Sequence, residues 1–160
     1  FGKSYVWLNN NYGITGYEDY DVSVKTYTLN SGYSYNFTSS LYASVRYGYS
    51  NTHTEYAPSE RNTYGISVGY LFASRFNVDL SYTKSFINYK KERTYIKDLN
   101  IIELKEKDII NNYSISLSDR NIDIFGFTPV ITYTRQEKNS NVPEKNLNKN
   151  LYDITLTRRF

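Results

Sequence analysis

The strongest constraint on the fold is an alternation of apolar and small polar residues with a period of two, sustained over spans longer than an ordinary strand. From Lys25 the odd positions continue Tyr27, Leu29, Ser31, Tyr33, Tyr35 and Phe37, opposed by Thr26, Thr28, Asn30, Gly32, Ser34 and Asn36. After Thr38-Ser39-Ser40 the pattern resumes with Leu41, Ala43, Val45, Tyr47 and Tyr49 against Tyr42, Ser44, Arg46, Gly48 and Ser50. Two such runs around a short turn predict a hairpin. A second is predicted from Tyr64, Ile66, Val68, Tyr70 and Phe72, through Ala73-Ser74-Arg75, to Phe76, Val78, Leu80 and Tyr82. A third joins Tyr113, Ile115 and Leu117 through a turn near 119–121 to Phe125, Phe127, Ile131 and Tyr133. A closing strand carries Tyr152, Ile154 and Leu156. One more fits around 3–9, with Tyr5 and Trp7 outward and Val6 and Leu8 on the other face. That makes about eight strands, in a single domain over 1–160.

A soluble β-sandwich also alternates, but its strands are shorter, usually ~5–6 residues. Here the polar face is small and neutral, which suits a crowded lumen better than open water. The composition agrees: 19 Tyr and 8 Phe against a single Trp, with a mean hydropathy of −0.62. No run approaches the ~20 apolar residues of a membrane helix, but a membrane strand needs only every second residue apolar. Phe37, Phe72 and Phe76 flank the tight turns, and Tyr49, Tyr64 and Tyr82 mark the opposite rim. Aromatics placed so are expected where strands cross the two membrane interfaces. The expected fold is an all-β, antiparallel, up-and-down transmembrane β-barrel of a Gram-negative outer membrane, with the surrounding lipid as its first partner.

Connections alternate in length. Short ones are expected at 38–40, 73–75 and 119–121, and long loops at about 10–21, 51–62, 88–108 and 136–149. Outer-membrane barrels keep short turns periplasmic and long loops outside, which places both termini in the periplasm. Charge follows the split: 22–49 holds only Lys25 and Arg46, whereas 88–108 holds six basic and five acidic residues. The stretch 88–108 is read first as strands extended beyond the membrane with a small apolar cluster (Ile96, Leu99, Ile101, Ile102, Leu104), and second as a folded loop that contacts a partner or occludes the lumen.

Little chemistry is on offer. There is no Cys, so disulfides and thiolate metal sites are excluded, and a single His makes transition-metal binding improbable. His53, near Glu55, Ser59 and Glu60, reads as a solvated loop residue rather than a catalytic base. Neither an enzyme nor a cofactor is expected. The net charge of +3 and the absence of an RNA-binding signature argue against nucleic acid. Arg46 and Asp79 fall on the lumen face, where they would pair or line a polar path. The lack of an initiator Met leads us to expect a processed or trimmed segment.

The last residues, Tyr152, Ile154, Leu156 and the terminal Phe160, resemble the signal read by the barrel-assembly machinery: an apolar face on a strand that offers its edge for pairing. Arg158 departs from the pattern on that face. A narrower resemblance runs back to Phe125. Gly126 and Pro129 in one strand, Ser140-Asn141-x-Pro143 in a loop, and the closing Arg159-Phe160 resemble the end of the surface lipoprotein assembly modulator family. Gly2-Lys3-Ser4-Tyr5 with Trp7 and Asn9 resembles an internal strand of the same barrels. The resemblance implies a barrel that helps lipoproteins cross the outer membrane, with lipoprotein cargo as a partner. It also implies about fourteen strands, of which eight would be the C-terminal part, and a periplasmic helical-repeat domain that these residues do not contain. The alternative is a self-contained eight-stranded structural protein or adhesin acting through its loops; a pore would need more strands. Pro129 must sit at a bulge or where pairing is already interrupted, because it has no N–H to donate.

Overall fold

A computed structural model describes residues 2–17, 22–55, 57–73, 75–97 and 100–158. Eight strands follow one another: β1 (Lys3–Tyr17), β2 (Val22–Asn36), β3 (Leu41–His53), β4 (Ser59–Phe72), β5 (Phe76–Lys97), β6 (Asn100–Asp119), β7 (Phe127–Ser140) and β8 (Leu147–Arg158). Each pairs antiparallel with the next in a single sheet of order β1 to β8. Among the described residues β1 and β8 do not pair with each other, so the sheet has two open edges. A closed eight-strand ring, which the self-contained reading requires, is not formed.

Register converts the alternation into two faces, because residues directly opposed across an antiparallel pair lie on the same side. The row Ser34, Ser44, Ser67, Ser81, Ser114 and Thr134 runs unbroken across β2 to β7 on one face. The other face carries Val45, Ile66, Val68, Leu80, Leu117, Ile131, Ile154 and Leu156, each about half exposed or more. Among the described residues only Ile87 and Val142 are buried apolar side chains, while Thr83, Ser85, Glu106, Asp108 and Asp119 are buried polar ones. This is the inverse of a water-soluble core: apolar atoms point out and small polar groups point in.

β1 corrects the sequence reading. Val6 pairs with Tyr33 and Leu8 with Ser31, whereas Trp7 pairs with Gly32. Val6 and Leu8 therefore face outward, at 81% and 71% exposure, and Tyr5 and Trp7 face in. The reason is steric. A Cβ on Gly32 would lie 2.5–2.6 Å from the Trp7 indole, so the ring occupies the space that glycine leaves on the inner wall.

The long loops contract. Most of 10–21, expected as loop, is strand, with β1 and β2 paired up to Tyr17↔Val22; in 88–108 the first reading stands, since β5 and β6 extend as strands paired up to Lys97↔Asn100, with one irregularity between Asn88 and Glu92. Charged residues raise solubility without preventing ladder pairing, so charge marked the membrane boundary and not the strand end. The third short turn is also longer than expected. β7 starts at Phe127, after a tight turn in which Ile124 and Phe127 exchange backbone hydrogen bonds of 2.8 and 3.1 Å. Phe125 and Gly126 at its centre have φ of 54° and 83°, the geometry of a two-residue hairpin turn. Phe125 thus leaves the strand where the sequence placed it and is 96% exposed.

Pro129 pairs with Leu156 with no register shift, so there is no bulge against β8. Pairing with β6 begins only at Val130, which leaves Pro129 where the ladder on that side has already ended.

Candidate functional site

Three surfaces carry the chemistry: the inner wall, the outer aromatic belt, and an ionic cluster at the end where β5 and β6 extend furthest. On the inner wall, hydroxyls and amides satisfy one another across strands. Ser44 and Ser67 are 2.6 Å apart, Ser114 and Thr134 2.8 Å, Ser116 and Thr132 2.9 Å, and Thr63 and Ser85 2.8 Å. Gln136 donates to Asn112 at 2.7 Å, and Asn112 donates to Thr83 at 3.2 Å. In this part of the wall the polar groups are mutually satisfied by neutral hydrogen bonds.

Arg46 and Asp79 both lie on this face, as expected, but they do not pair. Tyr42 and Asn77 donate to the Asp79 carboxylate. The Arg46 side chain lies over Gly65, whose missing side chain makes the room. With Trp7, Asn9, Thr28, Asn30 and Arg61, Arg46 lines a polar recess of about 590 Å³.

On the outer face one arrangement recurs three times. Tyr47 and Tyr64, Tyr82 and Tyr113, and Tyr133 and Tyr152 are register partners with ring centroids 5.3, 5.1 and 5.3 Å apart. In each pair the first tyrosine donates to an asparagine two residues before the second: Asn62 at 2.7 Å, Asn111 at 2.8 Å and Asn150 at 3.0 Å. The ring is apolar below and hydrogen-bonded above, as a membrane interface requires. Eight residues along β4 from Tyr64, Phe72 contacts Tyr70 and, with Phe37 and Phe76, marks the other boundary. At ~3.3 Å per residue and a tilt of ~40°, that spacing gives a band about 20 Å tall, close to the ~25 Å of outer-membrane barrels.

Beyond the belt the surface turns ionic. Glu106 is 1% exposed and receives Lys145 at 2.6 Å, Tyr95 at 2.8 Å, Arg93 at 3.4 Å and Lys138 at 3.7 Å. Burial would raise its pKa, but the hydrogen bonds from Lys145 and Tyr95 and the cationic charges outweigh it and hold the carboxyl below the ordinary range. Asp108, 2% exposed, has Lys138 2.7 Å away, although neither of its oxygens has a hydrogen bond of good geometry. Burial and the two carboxylates push the neighbouring Tyr89 hydroxyl up.

The family-motif residues build the support for this cluster. Asn141 substitutes for a strand residue along the edge of β6. Its N–H donates to the Lys107 carbonyl at 3.1 Å, its side-chain oxygen accepts from the Lys107 N–H at 2.8 Å, and its side-chain amide donates to the Lys105 carbonyl at 2.9 Å. Ser140 accepts from the Val142 N–H at 3.2 Å, and Pro143 opens a single 3₁₀ turn, Pro143–Lys145, that delivers Lys145 to Glu106. Gly126 and Pro129 lie at the opposite end of β7. The motif is therefore two separate devices, a turn and a latch. Sequence reasoning missed Glu106, Asp108 and Lys138 because they sit among charges that read as solvated; the even spacing of Glu106 and Asp108 on the inner face of β6 was the available signal, and Lys138 comes from the neighbouring β7.

Of the assembly residues, Tyr152, Ile154 and Leu156 project outward from β8 at 78%, 72% and 51% exposure, and Phe160 lies outside the described residues. His53 ends β3 exposed, and Glu60 is paired with Lys90 at 2.7 Å. Among the described residues no three His, Cys, Asp or Glu side chains gather to hold a metal ion.

An apolar outer band between aromatic belts, with a hydroxylated inner wall, defines an outer-membrane β-barrel wall. The chain belongs to the surface lipoprotein assembly modifier family, whose sequence model matches residues 4–160. Its fold is similar to the crystal structure of the β domain of the Bordetella autotransporter Brka, with a TM-score of 0.52 and 10% identity, covering 87% of this chain and 65% of that one. No curated protein matches the chain in sequence.

Proposed function

We propose that residues 1–160 form one wall domain of an outer-membrane barrel that assists the passage of lipoproteins to the cell surface. The observation that carries this reading is the inner face: cross-strand hydroxyl pairs on β3–β4, β4–β5 and β6–β7, in a sheet whose edges stay open. A sheet that leaves β1 and β8 unpaired is suited to a barrel wider than eight strands, with a lumen that side chains do not fill. The paired hydroxyls would let an extended or partly folded chain slide without strong binding. The two termini then lie on the periplasmic side and the β5–β6 hairpin outside, in keeping with the short connections at one end and the charged extension at the other. During biogenesis the β8 edge, with Tyr152, Ile154, Leu156 and Phe160, is the strand we assign to the barrel-assembly machinery.

The test is surface display of an epitope-tagged lipoprotein in cells with and without the full-length gene, read by protease shaving. Loss of display on deletion, restored by the gene, supports the reading. Unchanged display would sink it.

A further inference from the structure

The lipid-facing surface contains a groove of about 540 Å³ at the level of the tyrosine belt, crossing β4 to β7. Its floor is Ile66, Leu80 and Ile115, and its upper rim is Tyr82, Tyr113 and Arg135. Register places Ile66, Tyr82, Tyr113 and Arg135 in one row across the four strands. A cation on the lipid-facing side at this depth sits among the head groups, where it costs little and can meet an anionic group. Arg135 is only partly answered. Its Nε donates to Glu137 at 2.9 Å, and among the described residues its two terminal nitrogens have no partner. Lys84 stands one row higher, with its ammonium 5.1 Å from the Phe86 ring. Glu137 shares that higher row and is the one acidic group of the described residues facing the rim.

We propose that this groove binds a phosphorylated glycolipid of the outer leaflet, of the lipid A type. The phosphate meets the free fork of Arg135, with Lys84 beside it, and the acyl chains lie on Ile66, Leu80 and Ile115. A guanidinium presents paired N–H groups that match a phosphate bidentately. The Tyr82 and Tyr133 hydroxyls are already committed to Asn111 and Asn150, so the charge is supplied by Arg135 and the belt supplies the apolar–polar boundary. Three strand spacings from β4 to β7 make the groove about 14 Å wide, which favours a lipid with several chains over one with a single chain. This inference rests on the orientation proposed above, in which the belt lies in the outer leaflet.

The experiment is native mass spectrometry of the full-length protein in detergent micelles, offered lipid A, its dephosphorylated derivative, and phosphatidylglycerol. The wild type should retain lipid A through collisional stripping and lose the dephosphorylated form. Arg135→Ala should lower lipid A retention about tenfold, while Arg120→Ala, at the opposite end, leaves it unchanged. Equal retention of phosphorylated and dephosphorylated lipid would reduce the groove to ordinary annular contact and overturn the proposal, as would preference for phosphatidylglycerol. If Arg135→Ala fails to fold, the wild-type comparison of the two lipid A forms decides alone. The assay contains no lipoprotein, so its outcome is separate from that of the display test.

Discussion

Lys145, carried on a turn after β7, places its ammonium 2.6 Å from the carboxylate of Glu106, a residue 39 positions away in the chain and 1% exposed. Together with the Asn141 hydrogen bonds to Lys105 and Lys107 and the buried Val142, that pair closes the connection between β7 and β8 onto the β5–β6 extension.

Acid should release this latch. The folded pKa of Glu106 lies below its ordinary value, so its contribution is fully present above the unfolded carboxyl pKa of about 4.3 and is lost as pH falls through the folded value. Lys145 is shifted upward, with burial opposing and the hydrogen bonds to Glu106 and Tyr95 prevailing, so its part is present below the unfolded value of about 10.4 and lost above the folded one. Hydrogen-exchange protection of residues 140–146, corrected for the intrinsic pH dependence of amide exchange, should therefore fall at both extremes and be greatest between them. Lys145→Met should abolish the alkaline limb and weaken the loop by about 1–3 kcal/mol, with Arg93 and Lys138 retaining part of the compensation.

Trp7 and Gly32 should behave as a matched pair. Gly32→Val drives a side chain into the indole and is expected to lower the temperature at which the barrel loses its compact mobility on unheated gels. Adding Trp7→Ala should recover a large part of that loss. Additive effects of the two substitutions would show that the indole does not occupy the glycine's space.

The two faces should respond oppositely to charge. Val68→Arg, on the lipid side midway between Tyr64 and Phe72, should cost about 2–4 kcal/mol in reversible folding into bilayers. Thr132→Arg, on the inner wall, should cost far less once its hydroxyl bond to Ser116 is allowed for, at about 1 kcal/mol. Equal penalties would mean that the faces have been assigned the wrong way round.

Topology is checked by labelling. A cysteine in place of Thr94 should react with a membrane-impermeant maleimide on intact cells, and one in place of Arg120 should react only after the outer membrane is opened. The reverse pattern would invert the barrel and place the belt in the inner leaflet.

Alternation alone determined the strands, the two faces and the membrane setting, because a period of two survives any curvature or tilt of the sheet. Tyr64 to Phe72 could be read as a lipid-facing row without knowing what lay beside it. The final residues likewise identified the family before any fold was known. Three things needed the tertiary structure. Whether Trp7 or Val6 faces outward could not be read from β1, where both faces are apolar; only pairing with Gly32 decides it. The ends of β1 and β2 were hidden because polar and charged residues end a membrane span without ending a ladder, so that pair ran on through most of 10–21 to Tyr17↔Val22. The Glu106 cluster was hidden because its members come from four separate stretches of chain, and the spacing of Glu106 and Asp108 on β6 does not name the cations that meet them. Sequence fixes what each residue can face, but which distant residues share that face is set by register, and register is a property of the assembled sheet.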